Sequence, residues 1–264
     1  MSAPLATVAA SPQGARITAI TSGKGGVGKT VVAANLAAAL ARAGQRVLVL
    51  DADLGLANLD VVLNLSARLT LHDVFTGRCV LDQAMQHAPG GFTVLLAGSG
   101  LVEYSRLTAE VRDKLLDVIS AVQQRFDHVL LDTGAGISDV VLFTISLADE
   151  VLIVATPEPT SVTDAYATIK VLATNQLARP VRLLVNQVRK PATGLAVLQQ
   201  LQQVVDRFVN PSLSAPLKLT LLGDVPMDEA VRDAVQRRDL LMETLPGSPA
   251  AVALSAAAAR LLPP

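Results

Sequence analysis

The segment Gly23–Thr30 (GKGGVGKT) constrains this chain more than any other part of it. It fits the pattern G-x-x-x-x-G-K-[ST], which holds the phosphates of a nucleoside triphosphate. Glycines let backbone N–H groups turn toward the phosphates, and the following helix adds the positive end of its dipole. Arg16–Thr21 predicts a buried strand before the loop, and Lys29–Ala43 predicts a helix after it that stops at Gly44. This context favours a phosphate-binding loop over a chance glycine-rich turn.

Two lysines of this loop have different predicted roles. Lys29 is expected to reach the β- and γ-phosphates, and the Thr30 hydroxyl to ligate Mg²⁺. Lys24 is an additional cation, and the string K-G-G-V-G-K-T resembles the deviant Walker A loop of the MinD/ParA family. The resemblance implies that Lys24 reaches across an ATP-dependent homodimer to the partner's phosphates. The alternative is a solvated lysine on a loop.

The rest of the chain alternates apolar strands with helical stretches, which predicts a doubly wound, mainly parallel α/β sheet with helices on both faces. We expect residues 1–14 to form a disordered lead and residues 15–264 a single domain that includes a C-terminal helical tail. Further strands are predicted at Arg46–Leu50, Thr93–Leu96, His128–Leu131, Glu150–Ala155, Val181–Val185 and Lys218–Gly223. Further helices are predicted at Thr108–Arg125, Ser138–Leu147, Thr160–Thr174 and Gly194–Phe208.

Composition excludes several classes of protein. Apolar residues make up 51% of the 264 residues, yet no apolar run is long enough to cross a bilayer without polar interruption. The only cysteine, Cys79, suits the cytoplasm and argues against a disulfide framework or an iron–sulfur cluster. A net charge of −1 gives no global electrostatic indication of nucleic-acid binding.

Acidic residues follow two of the predicted strands, where a parallel sheet places its ligands. Asp51 and Asp53 follow the second strand, and Asp132 follows four apolar residues as in a Walker B motif. Carboxylates beside a phosphate site can hold Mg²⁺ or orient a water molecule. The resemblance implies that Asp53 positions the attacking water and that Asp51 lies nearer the phosphates and the metal. The alternative is that Asp51 and Asp53 cap the following loop.

Three longer strings narrow the resemblance to the FlhG (FleN/YlxH) branch of the family. They are Asp51–Leu63, Asp132–Ser138 and Thr156–Tyr166, and within the last of these either Thr160 or Ser161 is predicted to cap a helix. The resemblance also implies that Asn186 contacts the adenine base and that the segment Gly223–Asp228 supplies backbone contacts to it, although a loop or cap role for Asn186 is open.

The resemblance assigns catalytic roles to Lys24, Lys29 and Asp53, and Mg²⁺ ligation to Thr30, Asp53 and Asp132. It assigns the ATP contacts to Gly23, Lys24, Gly25, Gly26, Val27, Gly28, Lys29, Thr30, Val31, Asp51, Asn58, Asp132, Gly136, Asn186, Val225, Pro226 and Asp228.

The implied function is a slow, dimerising ATPase switch that regulates flagellar number, placement or gene expression. Implied partners are FlhF, C-ring proteins and a FleQ-type activator. Residues 1–15 lack the D-Q-A-x-x-L-R string that stimulates FlhF in many relatives. The tail Ser248–Pro264 is mostly alanine with one cation, Arg260, so we expect weak membrane binding and recruitment to the pole or membrane through protein partners.

Three alternatives remain at this point. One is a MinD- or ParA-like ATPase that positions the septum or DNA. Another is a metabolic enzyme that transfers the phosphoryl group to a small molecule. The third is a nucleotide-dependent binding module or anti-activator with negligible turnover.

Overall fold

The structure is a computed structural model that describes residues 14–53, 58–66, 68–98, 107–175 and 179–262. The predicted lead at residues 1–14 lies outside the described residues except for Gly14, and residues 54–57 of the Asp51–Leu63 string also lie outside them.

The elements follow the predicted alternation. The strands are β1 (Arg16–Ser22), β2 (Val47–Ala52), β3 (Met85–His87), β4 (Thr93–Leu95), β5 (His128–Ala135), β6 (Glu150–Ala155), β7 (Val181–Val188) and β8 (Leu219–Pro226). The helices are α1 (Lys29–Arg42), α2 (Leu59–Val62), α3 (Leu71–Phe75), α4 (Leu81–Ala84), α5 (Ala109–Gln123), α6 (Asp139–Ser146), α7 (Pro159–Thr174), α8 (Thr193–Phe208), α9 (Glu229–Arg237), α10 (Leu241–Thr244) and α11 (Pro249–Ala259), with a 3₁₀ turn at Asn210–Ser212.

The described strands form one eight-stranded sheet in the order β3-β4-β2-β5-β1-β6-β7-β8. Every neighbouring pair is parallel except β3 and β4, which are antiparallel. This confirms the predicted fold class. Only β3 among the strands was not predicted, because three residues at a sheet edge carry too little alternation to stand out from a loop.

Helices cover both faces of the sheet, and successive residues of the central strands alternate between the two layers. Val129 and Leu131 pack toward the layer that contains α5, α6, α7 and α8. Leu130 packs toward the layer that contains α1, α10 and α11. Alanines fill much of the second layer, and small side chains let α1 and α11 pack closely on each other.

The C-terminal helix α11 is part of the core. Ala251, Leu254 and Leu261 are fully buried or nearly so. At its C-terminal end, Arg16 donates to the Leu261 carbonyl (3.2 Å) and Arg182 donates to the Arg260 carbonyl (3.0 Å).

The same two arginines hold a buried acid. Arg16 and Arg182 contact the Glu150 carboxylate at 2.7 Å and 2.8 Å, and that side chain is 1% exposed.

Within the described residues, no helix is both long and apolar enough to cross a bilayer.

Candidate functional site

A cavity of about 510 Å³ opens at the carboxyl edge of the sheet, at the point where β1, β2 and β5 end. Three segments contribute to it: the phosphate-binding loop, the acids at the start of Asp51–Leu63 (called switch I below) and the first residues of Asp132–Gly136 (called switch II below). Among the predicted site residues, those that line it are Gly25, Gly26, Gly28, Lys29, Thr30, Val31, Asp51, Asp53, Asn58 and Asp132.

The loop after β1 has the geometry expected of a phosphate cradle. Gly26 and Gly28 have φ values of +79° and +93°, which place them in the left-handed region that only glycine adopts at little cost. Gly28 caps α1 without a side-chain hydrogen bond, so the first N–H groups of the helix have no side-chain acceptor. A helix start of this kind, facing a cavity, is an anion-binding site.

Three acids and one lysine set the electrostatics of the cavity. Burial is the main cause that lowers the pKa of Lys29, opposed by the charges of Asp132 and Asp53. Burial raises the pKa of Asp132 to about 6, while the Thr30 hydroxyl and Lys29 act to lower it. Burial, and then the charge of Asp132, raise the pKa of Asp51 well above its usual range. The single lysine therefore provides too little positive charge to neutralise the three acids of the cavity.

Two carboxylate oxygens in this cluster are unsatisfied. Asp51 Oδ2 and Asp132 Oδ1 are buried and have no hydrogen-bond partner among the described residues. The parallel ladder between β2 and β5 places these two aspartates side by side. Buried unsatisfied carboxylate oxygens beside a threonine hydroxyl are a donor set that suits Mg²⁺.

The described residues do not form a complete metal cage by themselves. Within the described residues, no group of three or more His, Cys, Asp or Glu side chains is arranged to hold a metal ion. Mg²⁺ usually keeps one or two protein carboxylates and takes its other ligands from phosphates and water. The cavity therefore fits a magnesium–nucleotide complex better than a permanently bound ion.

Asp53, a switch I residue, lies against switch II. Its backbone N–H donates to Asp51 Oδ1 at 3.1 Å. Its carboxylate carbon lies 3.5 Å from the position that a Cβ atom on Gly134 would occupy. Gly134 belongs to the glycine-rich segment after Asp132, so a movement of this segment would change the surroundings of the Asp53 carboxylate directly.

Lys24 and Gly23 lie in the loop but do not line the cavity. The Lys24 ammonium donates to Glu158 Oε2 at 2.9 Å and to Thr160 Oγ1 at 3.0 Å. A Cβ atom on Gly23 would lie 2.3 Å from the backbone of Asp164, so only glycine lets the loop approach α7 this closely. The loop is therefore seated on the N-terminal part of α7.

The predicted cap of α7 at Thr160 or Ser161 is wrong. The helix begins one residue before Thr160, with Glu158 as its cap and Pro159 in its first turn. The Ser161 hydroxyl instead accepts a hydrogen bond from the Thr156 N–H at 2.9 Å. Proline at the first helical position sets the start, because its fixed φ suits that position and it has no N–H to satisfy.

The residues predicted to contact the base lie outside the cavity. Asn186 donates to the Val27 carbonyl of the phosphate loop at 2.8 Å. Val225 is buried and Pro226 ends β8. The Asp228 carboxylate accepts hydrogen bonds from the N–H groups of Ala230 and Ala250, both at 3.0 Å, so it caps α9 and the first turn of α11.

Gly136, also outside the cavity, joins switch II to the phosphate loop. Its N–H donates to the Ser22 carbonyl at 2.9 Å, and the Ser22 hydroxyl donates to the Lys24 carbonyl at 2.7 Å. Ser22 was not among the predicted site residues, and a serine that ends a strand gives no indication of such a bridge.

Other cavity residues were also missed. Thr133 and Gly134 lie within a predicted motif, whereas the α6 residues could be assigned to the cavity only from the packing of that helix. The missed lining residues are Ala52, Thr133, Gly134, Ala135, Ser138, Val140 and Val141.

Comparisons with known proteins agree with this geometry. The ParA family model, described as NUBPL iron-transfer P-loop NTPase, matches residues 14–262. The antiactivator FleN of Pseudomonas aeruginosa is 42% identical over 246 residues, which cover 93% of this chain and 86% of FleN. The flagellum site-determining protein YlxH of Helicobacter pylori is 34% identical over 230 residues, which cover 86% of this chain and 75% of YlxH.

A solved structure gives the same answer for the fold. MinD of Pyrococcus horikoshii OT3, complexed with Mg-ADP, has a TM-score of 0.75 and 26% identity, with 94% of this chain and 96% of MinD covered. The chain therefore belongs to the MinD/ParA family of P-loop ATPases, in its FlhG (FleN/YlxH) branch.

Proposed function

We propose that this protein is an ATP-dependent dimerising switch that regulates flagellar number, placement or gene expression. The observation that carries the proposal is that two lysines of the phosphate loop point to different places. Lys29 lies in the cavity beside Asp132, whereas Lys24 extends away from it to Glu158. One lysine thus serves the chain's own phosphates, and the other is available to a second molecule.

The chain's own residues account for nucleotide binding. Lys29 and the open N-terminus of α1 line the cavity and would bind the β- and γ-phosphates. The Thr30 hydroxyl and the carboxylates of Asp53 and Asp132 would hold Mg²⁺, which neutralises phosphate charge when it is bound. The buried, unsatisfied Oδ1 atom of Asp132 supports the assignment of that carboxylate.

Hydrolysis requires a positioned water molecule. Asp53 is the acid that lies against Gly134 of switch II, so it is the group best placed to orient water when that segment closes on the γ-phosphate. We propose slow turnover, because a regulatory switch must persist in its ATP state long enough for partners to bind.

Dimer formation would follow if the Lys24 ammonium group exchanged Glu158 for the phosphates bound by the partner chain. The Lys24–Glu158 pair is an exposed ion pair, and such pairs contribute only about 0–1 kcal/mol. Multiply charged phosphates are stronger partners for an ammonium group. ATP binding by two chains would therefore draw each Lys24 from Glu158 to the partner's nucleotide.

The proposed flagellar role is supported by the names of two similar proteins. One is called an antiactivator and another a flagellum site-determining protein. We therefore propose a FleQ-type activator, FlhF or C-ring proteins as partners that distinguish the two nucleotide states. Iron transfer, which the family description mentions, is not proposed here, because Cys79 is the only cysteine and a cluster needs several thiolates.

Calorimetry with ATP and Mg²⁺, followed by phosphate release, tests the proposal. Lys29→Ala should weaken ATP binding at least about tenfold, because a charge-assisted contact is lost. Lys218→Ala is the matched control, since this exposed lysine precedes β8 at the opposite edge of the sheet. Equal ATP affinity in the wild type and Lys29→Ala would contradict the assignment.

A further inference from the structure

The carboxamide of Asn186 is held between the phosphate loop and its own strand. Asn186 Nδ2 donates to the Val27 carbonyl at 2.8 Å, across 159 positions of sequence. Asn186 Oδ1 accepts from the Gln187 N–H at 2.9 Å. Only one orientation of the amide satisfies both contacts, because a flipped amide would place oxygen against a carbonyl and NH₂ against an N–H.

The Asn186 side chain also lies close to Gly28, the residue directly before the phosphate-binding Lys29. A Cβ atom on Gly28 would lie 2.5 Å from Asn186 Nδ2. Gly28 also has a φ of +93°. Glycine is therefore required at this position for two reasons, its backbone conformation and the close approach of Asn186.

This arrangement affects the direction of the loop's backbone groups. A phosphate cradle requires N–H groups that point inward and carbonyls that point away from the anion. Asn186 gives the Val27 carbonyl a fixed partner outside the cradle. Among the described residues, Asn186 is the side chain that donates to this carbonyl, so without it the loop would sample conformations that bind phosphate poorly.

We propose that Asn186 is a positioning residue for the phosphate loop, and that it sets phosphate affinity whether or not a base is bound. The inference rests on the proposed ATP site. The carboxamide retains one N–H and one lone pair, which match the donor and acceptor pattern of an adenine edge. Base recognition and phosphate binding would then be linked through a single side chain.

A ligand without a base separates the two roles. Tripolyphosphate with Mg²⁺ is titrated by calorimetry into the wild type, Asn186→Ala and the control Asn175→Ala. Asn175 makes a similar bond to a backbone carbonyl, Nδ2 to Val171 O at 2.9 Å, at the exposed end of α7. We expect Asn186→Ala to bind tripolyphosphate about tenfold more weakly and Asn175→Ala to bind it normally.

Hydrogen exchange of the ligand-free protein provides a second readout, which a general loss of stability would not reproduce. Amides of residues 25–30 should exchange faster in Asn186→Ala, while those of the central strands remain unchanged. If that variant does not fold, Asn186→Asp, which keeps the shape and removes the donor, takes its place in both measurements.

One result would overturn the inference alone. If the variant binds ATP weakly but binds tripolyphosphate as the wild type does, with unchanged exchange in the loop, Asn186 only contacts the base. A wild type that binds neither ligand would instead refute the proposed function, and this inference with it.

Discussion

The Lys24 ammonium lies 2.9 Å from the Glu158 carboxylate, so the additional lysine of the phosphate loop is paired with the cap residue of α7. Its side chain is 33% exposed and that of Glu158 is 64% exposed, so water competes with the pair. The lysine is held in a defined place without being bound strongly, which suits a group that exchanges partners between two nucleotide states.

Replacing Lys24 should separate ATP binding from dimerisation. Lys24→Ala keeps Lys29, Thr30 and the helix N-terminus, so we expect ATP affinity within about threefold of the wild type, which is less than 1 kcal/mol. It should remain a monomer with ATP, because no cation reaches the partner's phosphates. Light scattering with and without ATP measures this, and Lys218→Ala should dimerise normally. An ATP dimer of normal stability in Lys24→Ala would show that the lysine acts only within its own chain.

Replacing Asp53 should trap the ATP state. Asp53→Ala leaves the glycine loop and Lys29 in place and keeps the Thr30 hydroxyl and the Asp132 carboxylate to hold Mg²⁺, so nucleotide binding should persist. Hydrolysis should fall about tenfold or more, because the water loses its orienting carboxylate. Phosphate release and light scattering should show slow turnover and a long-lived dimer. A variant that turns over ATP at the wild-type rate would remove Asp53 from the mechanism.

The sequence predicted the central part of this site for a physical reason. Asp51, Asp53 and Asp132 follow long apolar strands, and parallel strands bring their carboxyl ends to one edge. The strand limits were less accurate. β5 was expected to end at Leu131 but continues to Ala135, because Asp132 and Thr133 still pair with β2.

Contacts between distant segments were not predictable from the sequence. The bonds of Asn186 to Val27 and of Asp228 to Ala250 join parts of the chain whose separation gives no local pattern. The short helices α2, α3, α4 and α10 were missed as well, since four or five residues span little more than one turn and cannot show a repeating apolar pattern. Tertiary packing rather than local propensity determines such elements.

The histidine at the start of β5 should make folding stability depend on pH. His128 is buried, and its Nδ1 atom has no hydrogen-bond partner among the described residues. Burial, and then the charge of Arg16, lower its pKa below the ordinary 6.5, while Asp127 and Glu150 act in the opposite direction. Below that value the unfolded chain binds a proton that the folded chain does not, so stability falls as the pH falls.

Urea unfolding at about pH 7.5 and about pH 5.5 measures this effect. The raised pKa values of Asp51 and Asp132 act in the opposite direction, since the folded protein binds their protons first. The comparison is therefore made with His128→Gln, which should lose less stability on acidification than the wild type, and with His87→Gln at an exposed position. The same pH dependence in all three proteins would contradict the expectation.

The C-terminal helix should bind membranes weakly or not at all. A membrane-surface helix needs bulky apolar side chains on one face and cations on the other. Leu254 of α11 and Leu261, just after the helix, are buried in the core. Arg260 donates to the Leu222 carbonyl, so the single cation of the tail is already engaged. Among the described residues of α11, Val252 is the large apolar side chain that faces solvent, at 57% exposure.

Liposome flotation with the ATP-trapped Asp53→Ala variant tests this expectation under the most favourable condition, since a dimer presents two tails and gains from avidity. We expect little flotation on vesicles with anionic headgroups, and no change when Val252→Glu is added. Deletion of the whole helix is a poor test, because it exposes the core face of α1 and would unfold the protein. Strong flotation of Asp53→Ala that Val252→Glu abolishes would mean that α11 is itself the membrane anchor.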